Sequence, residues 1–256
     1  KTLLVDEKSY LGGSTIYQNS ENFKINNQIS NSWLEKEINE IKKFENLEIK
    51  TRTSVAAFHG YNFLLARENL TDHLPLDQRK NKTRQRLLKI RAKKVIIATG
   101  SLERPLIFDN NDRPGIILSS AIEKYANLFG VACGEKNVLF TNNDSAYETA
   151  ISLHQKGIKV EAIIDIREEI DSKLIKETEK NNIKVYKGYT VVNTSGYKRI
   201  NKVSIMQLSK DGQKAIGSKI SIICDCLGVS GGWTPAVHLF TQSGGKLKFR
   251  DEDQVF

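Results

Sequence analysis

The clearest pattern of apolar and polar positions runs from Asn137 to Asp165. Val138 to Phe140 is a short apolar run, Ala146 to His154 has helical spacing, Gly157 closes that helix, and Val160 to Ile164 is a second apolar run. Together they predict a βαβ unit. Near the start, Thr2 to Val5 reads as a buried strand ending in Asp6 and Glu7. Ser32 and Glu35 have capping-box spacing before a helix with Leu34, Ile38 and Ile41 on one face. Leu47 to Phe58 reads as one or two strands. Asn62 to Glu68 and Arg84 to Ile90 alternate as a hairpin around the polar segment Asp77 to Thr83, whose charge reads as solvated surface. Lys94 to Gly100 has the pattern of a buried parallel strand ending in Ala-Thr-Gly. Further on, Asp171 to Asn181 predicts a helix and Ile183 to Tyr186 a strand. Thr190 to Ser195 and Lys202 to Leu208 predict a hairpin around Gly196 and Tyr197, and Lys219 to Cys224 a strand leading back out.

Strands alternating with helices predict an α/β fold. Their order fits two nested Rossmann-like domains of the FAD/NAD(P)-binding, glutathione-reductase-like kind, with parallel sheets and β-hairpin insertions. The first would comprise 1–115 and 222–256, and the second, 116–221, would be inserted into it.

Two turns carry the candidate chemistry. A dinucleotide fingerprint places G-x-G-x-x-G at the first turn of a βαβ unit, so that the backbone approaches a pyrophosphate at the helix N-terminus. In the unit around Asn137 that turn reads Thr141, Asn142, Asn143, Asp144, Ser145, Ala146, with no glycine. Asp144 would put negative charge where a diphosphate must sit, while serving as an N-cap for the helix. This turn therefore reads as a scaffold that has lost its ligand. The first strand reads differently. A carboxylate at such a strand end accepts hydrogen bonds from ribose hydroxyls, the position of Asp6, and an acid there repels a 2′-phosphate, which favours NAD or FAD over NADP. Gly12 and Gly13 follow, and let the chain pass close to a cofactor. An ordinary strand-end acid in a glycine turn reads equally well.

Composition adds little to this. At 256 residues the chain can bury one or two cores. The excess of 39 Lys+Arg over 30 Asp+Glu gives +9, but the lysines are scattered among Asn and Ile with no basic helix or aromatic-interleaved stripe, so no nucleic acid is expected. Cys133, Cys224 and Cys226 form no C-x-x-C pair, which fits a reducing cytoplasm and offers neither a disulfide framework nor a metal site. No apolar run approaches a membrane span. The chain opens on Lys1 and ends at Phe256 within a strand pattern, as expected of a piece of a longer protein.

Several motifs occur in a fixed order: Glu103-Arg104-Pro105, Asn111-Asp112-Arg113-Pro114-Gly115, Thr141 to Tyr147, and Ser230-Gly231-Gly232-Trp233-Thr234-Pro235-Ala236-Val237-His238-Leu239-Phe240. With Thr71-Asp72-His73-Leu74 and Gln242-Ser243-Gly244-Gly245-Lys246-Leu247, they resemble the α subunit of heterotetrameric sarcosine oxidase nearly end to end. The resemblance implies an αβγδ complex that oxidises sarcosine to glycine, passes the one-carbon unit to tetrahydrofolate and reduces oxygen to hydrogen peroxide. It implies FAD on β, FMN near the α/β contact, zinc on δ, and a non-redox NAD on α. Carried over residue by residue, the NAD contacts are Asp6 and Glu7 at the ribose, Lys8 beside them, Gly12, Gly13 and Ser14 in the loop, and Val55 at the adenine. Ala56 to Tyr61 departs from the family's Phe-Gly-x-Tyr-Asp wording.

No catalytic residue is assigned. His238 with Cys226, and His73 beside Asp72, lack a third orienting group and read as structure, whereas Trp233 reads as either a packing anchor or an interface residue. Two alternatives stay open beside the favoured one. The chain could belong to a related amine or opine dehydrogenase or another pyridine-nucleotide flavoprotein, or be a scaffold subunit that binds no nucleotide.

Overall fold

In the computed structural model, which describes residues 1–18, 24–170, 173–252 and 254–256, the chain divides into two units. One comprises Lys1–Ile16, Ile25–Ser101 and Pro235–Phe256, the other Tyr17–Lys24 and Leu102–Thr234.

The second unit is built on the predicted βαβ pattern. Strands Asn137–Thr141 and Val160–Asp165 pair in parallel, joined by the helix Ser145–Gln155. They sit in a five-stranded parallel sheet of order Lys184–Lys187, Val160–Asp165, Asn137–Thr141, Cys226–Ser230, Ile116–Leu118. Successive side chains of a strand point to opposite faces, and the sheet divides them accordingly. Leu139, Ile163 and Cys226 pack under Ile122, Tyr147, Leu153 and Ile175 of the helices. Val138, Phe140, Ile164, Leu227 and Val229 face Val191, Val203 and Ile205 of an antiparallel meander. That meander comprises Tyr189–Ser195, Lys202–Leu208 and Ala215–Ile223. Each fully buried aliphatic side chain contributes roughly 1.5–3 kcal/mol.

The crossings between units fall at Ser101 and Thr234, where the sequence reading has 115 and 222, and Cys226–Ser230 accounts for the second. It lies between Asn137–Thr141 and Ile116–Leu118 in continuous parallel register, so the second unit is incomplete until residue 230 is in place. Lys219–Cys224, expected as the exit strand, belongs to the outer strand of the meander instead.

The first unit pairs Thr2–Val5 in parallel with Leu47–Lys50, connected through the helix Ser30–Ile41. Beside this pair runs an antiparallel sheet of Thr53–His59, Phe63–Asn69 and Gln85–Arg91. The run from Leu47 to Phe58 is therefore two strands, broken where Arg52 takes a φ of +50°.

Three local expectations are corrected. The helix starts at Ser30, with Ile29 at the N-cap and no side-chain cap; Ser32 already lies within the first turn and cannot cap it. Lys94–Gly100 forms no strand among the described residues, and Ile96 is 93% exposed. A buried parallel strand needs neighbours, and among the described residues this unit's parallel sheet contains only Thr2–Val5 and Leu47–Lys50. The helix expected from Asp171 is observed as Lys173–Lys180; residues 171 and 172 lie outside the described residues.

Candidate functional site

Asp6 follows the last residue of the first strand. Its N-H donates to the Lys50 carbonyl at 2.9 Å, and its own carbonyl accepts from the Thr53 N-H at 2.9 Å. These bonds hold the acid at the strand end and bring the start of Thr53–His59 alongside it. The side chain closes a tight turn, Asp6 Oδ1 accepting the Lys8 backbone N-H at 2.8 Å. Glu7 points to the Lys8 ammonium, Nζ to Oε1 2.6 Å, in an exposed ion pair, and its hydrogen bond holds the Lys8 ammonium above its usual pKa. Gly12 and Gly13 then lead into a short 3-10 turn, Gly13–Ile16, that contains Ser14. Gly12 has φ +110°, and a Cβ there would come within 2.4 Å of Leu34 Cδ2. Only glycine lets this loop lie flat on the helix. A Cβ on Gly13 would meet nothing within 4 Å. Val55 is half-buried opposite Ala66, at a register irregularity between Val55 and Ala57.

The turn of the second unit is closed from within. Asn143, not Asp144, covers the helix start: its Oδ1 accepts the Ser145 N-H at 3.1 Å and also the Ser145 hydroxyl. Asn143 Nδ2 donates to the Ser230 carbonyl and hydroxyl, each at 3.1 Å. Trp233 Nε1 donates to Ser145 Oγ at 3.2 Å, which ties its ring to this turn. Asp144 has helical φ and ψ of −78° and −21° and makes no side-chain cap. A capping side chain has to reach back from non-helical backbone, so the expectation that Asp144 caps the helix fails. Its carboxylate instead pairs with Arg167 Nη2 at 2.9 Å.

Sequence reasoning passed over Asp165, the acid at the end of the second strand of this unit. It is fully buried. Asp165 Oδ1 accepts the Arg167 N-H at 2.9 Å, Oδ2 accepts Arg167 Nη2 at 2.8 Å, and the Tyr147 hydroxyl donates to Oδ2 at 3.0 Å. Burial works against charge on Arg167, but the hydrogen bond and charge of Asp165 outweigh it and raise its pKa further. Burial, then the Asp165 charge, pushes the Tyr147 phenol up. The readable signal was Asp-x-Arg directly after an apolar strand.

The motifs that carry the family resemblance are architectural. Glu103 Oε2 accepts the Ser120 N-H at 2.8 Å at the start of the helix Ser119–Phe129. Arg104 N-H donates to the Gly232 carbonyl at 2.8 Å and Gly231 N-H to the Arg104 carbonyl at 2.6 Å. A Cβ on Gly231 would lie 2.8 Å from the Pro105 carbonyl oxygen. The cysteines are all free thiols. Cys224 and Cys226 are buried, and burial pushes both up to about 12, where a thiol is inert at neutral pH. His238 and His73 are exposed. In the first unit, an open cleft of about 490 Å³ is lined by Phe58, Tyr61, Val95, Ile97, Phe240 and Gln242, among others. Among the described residues, no helix is long and apolar enough to cross a membrane.

A family model described as pyridine nucleotide-disulphide oxidoreductase matches residues 2–255. The chain is 34% identical over 249 residues to the sarcosine oxidase subunit alpha of Corynebacterium sp. (strain P-1), covering 96% of this chain and 25% of that protein. To the sarcosine oxidase subunit alpha of Rhizobium meliloti (strain 1021) it is 29% identical, covering 100% of this chain and 24% of that protein. The chain thus spans about a quarter of the length of these relatives. Among solved structures, L-proline dehydrogenase from P. horikoshii matches with a TM-score of 0.66 and 24% identity, over 97% of this chain and 40% of that one. Thioredoxin reductase of T. acidophilum matches with a TM-score of 0.68 and 20% identity, over 96% and 73%. The fold is that of FAD/NAD(P)-binding flavoproteins, as the strand and helix order implied.

Proposed function

The chain belongs to the pyridine nucleotide-disulphide oxidoreductase family, and from that premise we propose that it is the nucleotide-binding part of the alpha subunit of a sarcosine oxidase complex. The observation that carries the reading is the similarity, along essentially the whole chain, to alpha subunits of that name. The complex oxidises sarcosine to glycine, transfers the one-carbon unit to tetrahydrofolate and reduces oxygen to hydrogen peroxide. Its β, γ and δ subunits bring FAD and zinc, and this region helps form the FMN-containing contact with β. The inert, buried cysteines support a part that carries no dithiol chemistry of its own.

In this reading the region holds a non-redox NAD at Asp6, Glu7, Lys8, Gly12, Gly13, Ser14 and Val55. The arrangement of Asp6 supports it. One carboxylate oxygen is held by the Lys8 N-H, which fixes the side chain and leaves the second oxygen for ribose hydroxyls. The turn Thr141 to Ala146 holds no dinucleotide in this reading, because Asn143 and Trp233 already engage Ser145 and Arg167 already engages Asp144.

One observation favours a second reading, a scaffold subunit without nucleotide: the Glu7 carboxylate is already engaged by Lys8. The test is to purify the full-length chain with its β, γ and δ subunits, release bound nucleotides by denaturation, and follow peroxide formation on sarcosine. NAD equimolar with the chain and sarcosine-dependent peroxide are expected. Activity without NAD would favour the scaffold, and peroxide from another secondary amine in place of sarcosine would favour a related amine oxidoreductase.

A further inference from the structure

The lysines are scattered, but the excess charge is not. Residues 79–94, RKNKTRQRLLKIRAKK, hold Arg79, Lys80, Lys82, Arg84, Arg86, Lys89, Arg91, Lys93 and Lys94 and no acid. The chain as a whole carries +9, so outside this stretch its acids and bases cancel. In the first unit these residues form the turn and the strand Gln85–Arg91, the outer strand of the antiparallel sheet, paired on one side with Phe63–Asn69.

Some of the cations are already engaged. Arg84 pairs with Asp72 at 2.8 Å, Arg86 with Glu68 at 3.5 Å, and Arg91 lies 5.7 Å over the Phe63 ring. Lys80, Lys82, Lys89, Lys93 and Lys94 are exposed and make no ion pair among the described residues. Leu87, on the strand itself, is 63% exposed, and Leu76, three residues before the stretch, is 80% exposed. At ~3.4 Å per residue the strand makes a strip about 20 Å long.

We infer that this strip docks an acidic surface of a companion subunit, with the exposed Leu87 and the free lysines in the contact. Exposed apolar area beside charge is common at protein interfaces, and a cationic strip selects an acidic partner while speeding encounter. Nucleic acid fits less well. Residues 79–94 contain no aromatic side chain on which bases could stack, and the neutral remainder of the chain adds no wider positive field. Lysines on an outer strand also keep like copies from pairing edge to edge, so the strip excludes its own kind and admits an acidic partner. The relatives' designation as alpha subunits supplies the class of partner, and the inference rests on the reading that the chain works within such a complex.

The test uses the full-length chain co-expressed with its β, γ and δ subunits. Assembly is read by native mass spectrometry and by titration at about 0.05 M and about 0.5 M salt, which differ severalfold in screening length. Replacing Lys80, Lys82 and Lys89 together by Glu should weaken assembly at low salt by ~10-fold or more and abolish its salt dependence. The matching Lys→Arg triple variant should assemble normally, with circular dichroism showing both folded. A folded Glu variant that assembles as tightly and as salt-sensitively as the parent overturns the inference and leaves the proposed function standing. A parent chain that assembles with none of the three subunits overturns both. Lysine-dependent retention of single-stranded RNA at the higher salt, with assembly unchanged, would assign the strip to nucleic acid instead.

Discussion

The ends of two parallel strands, at Asp6 and at Asp165, begin from the same local chemistry and finish in opposite states. In each, an aspartate at the end of a parallel strand accepts the backbone N-H of the residue two positions on, Lys8 at 2.8 Å and Arg167 at 2.9 Å. In each, that residue is a cation. At Asp6 the cation leans away to Glu7, and the acid stays half-exposed beside a glycine loop. At Asp165 the cation folds back, binding Asp165 and Asp144 at 2.8 and 2.9 Å, and a tyrosine completes the shell. Where the next residue is Glu, the cation pairs with it; where it is Ile166, the cation turns back to Asp165 and Asp144 together and the aspartate is sealed. One turn keeps its acid half-exposed, and the other has filled itself.

The largest effect is expected from Arg167→Ala. It leaves the Asp165 carboxylate buried with only the Tyr147 hydroxyl and one backbone N-H, a loss of about 3–5 kcal/mol, read by urea denaturation. A cost below about 1 kcal/mol would mean that the sealed turn does not depend on this ion pair. Next comes Glu123, on the helix Ser119–Phe129 that covers the same sheet. It is buried against Ser152 and Thr149, near Glu148 and Glu103, and burial raises it from 4.5 to about 7. Between those values the folded chain holds a proton that the unfolded chain has lost, so stability should fall by about 3 kcal/mol as pH rises from about 4.5 to above 7. Glu123→Gln should flatten that slope in unfolding curves taken at pH 5 and pH 8, and an unchanged slope would sink the assignment.

Asp6→Asn addresses the open turn. If its carboxylate meets ribose hydroxyls, NAD retention in the full-length subunit should weaken by about 1–3 kcal/mol, measured by equilibrium dialysis. Unchanged NAD content would refute the contact. Smallest are the changes at the closed turn. Asn143→Ala removes the true cap and should cost about 0.5–2 kcal/mol, while Asp144→Ala, a half-exposed partner of Arg167, should cost less than about 1 kcal/mol. Neither should alter NAD content, and the reverse order of costs would restore Asp144 as the cap.

How much of this could be read beforehand follows from which interactions are local. The βαβ unit from Asn137 to Asp165 and the hairpins were legible because their periodicity is set by one buried face. Cys226–Ser230 was not read as a strand, although all five of its residues are buried. A run of Cys, Leu, Gly, Val and Ser resembles a loop until its neighbours on both sides are known. Lys94–Gly100 failed in the opposite sense, having strand composition without a ladder. At the site, Asp6 was legible from its place after the first strand. The choice of Asn143 over Asp144 was not, since it depends on Ser230 and Trp233, far along the chain.

The position of Cys226–Ser230 also governs the order in which the protein can be made. Ile116–Leu118 and Asn137–Thr141 flank a gap that only this later strand fills. While the ribosome is still synthesising the meander, two apolar strand edges wait unpaired, and the sheet closes only after residue 230 has emerged. A pairing so distant in sequence slows folding and prolongs exposure of those edges. Synthesis halted between Asp165 and Cys226 should therefore yield a nascent chain dependent on chaperones.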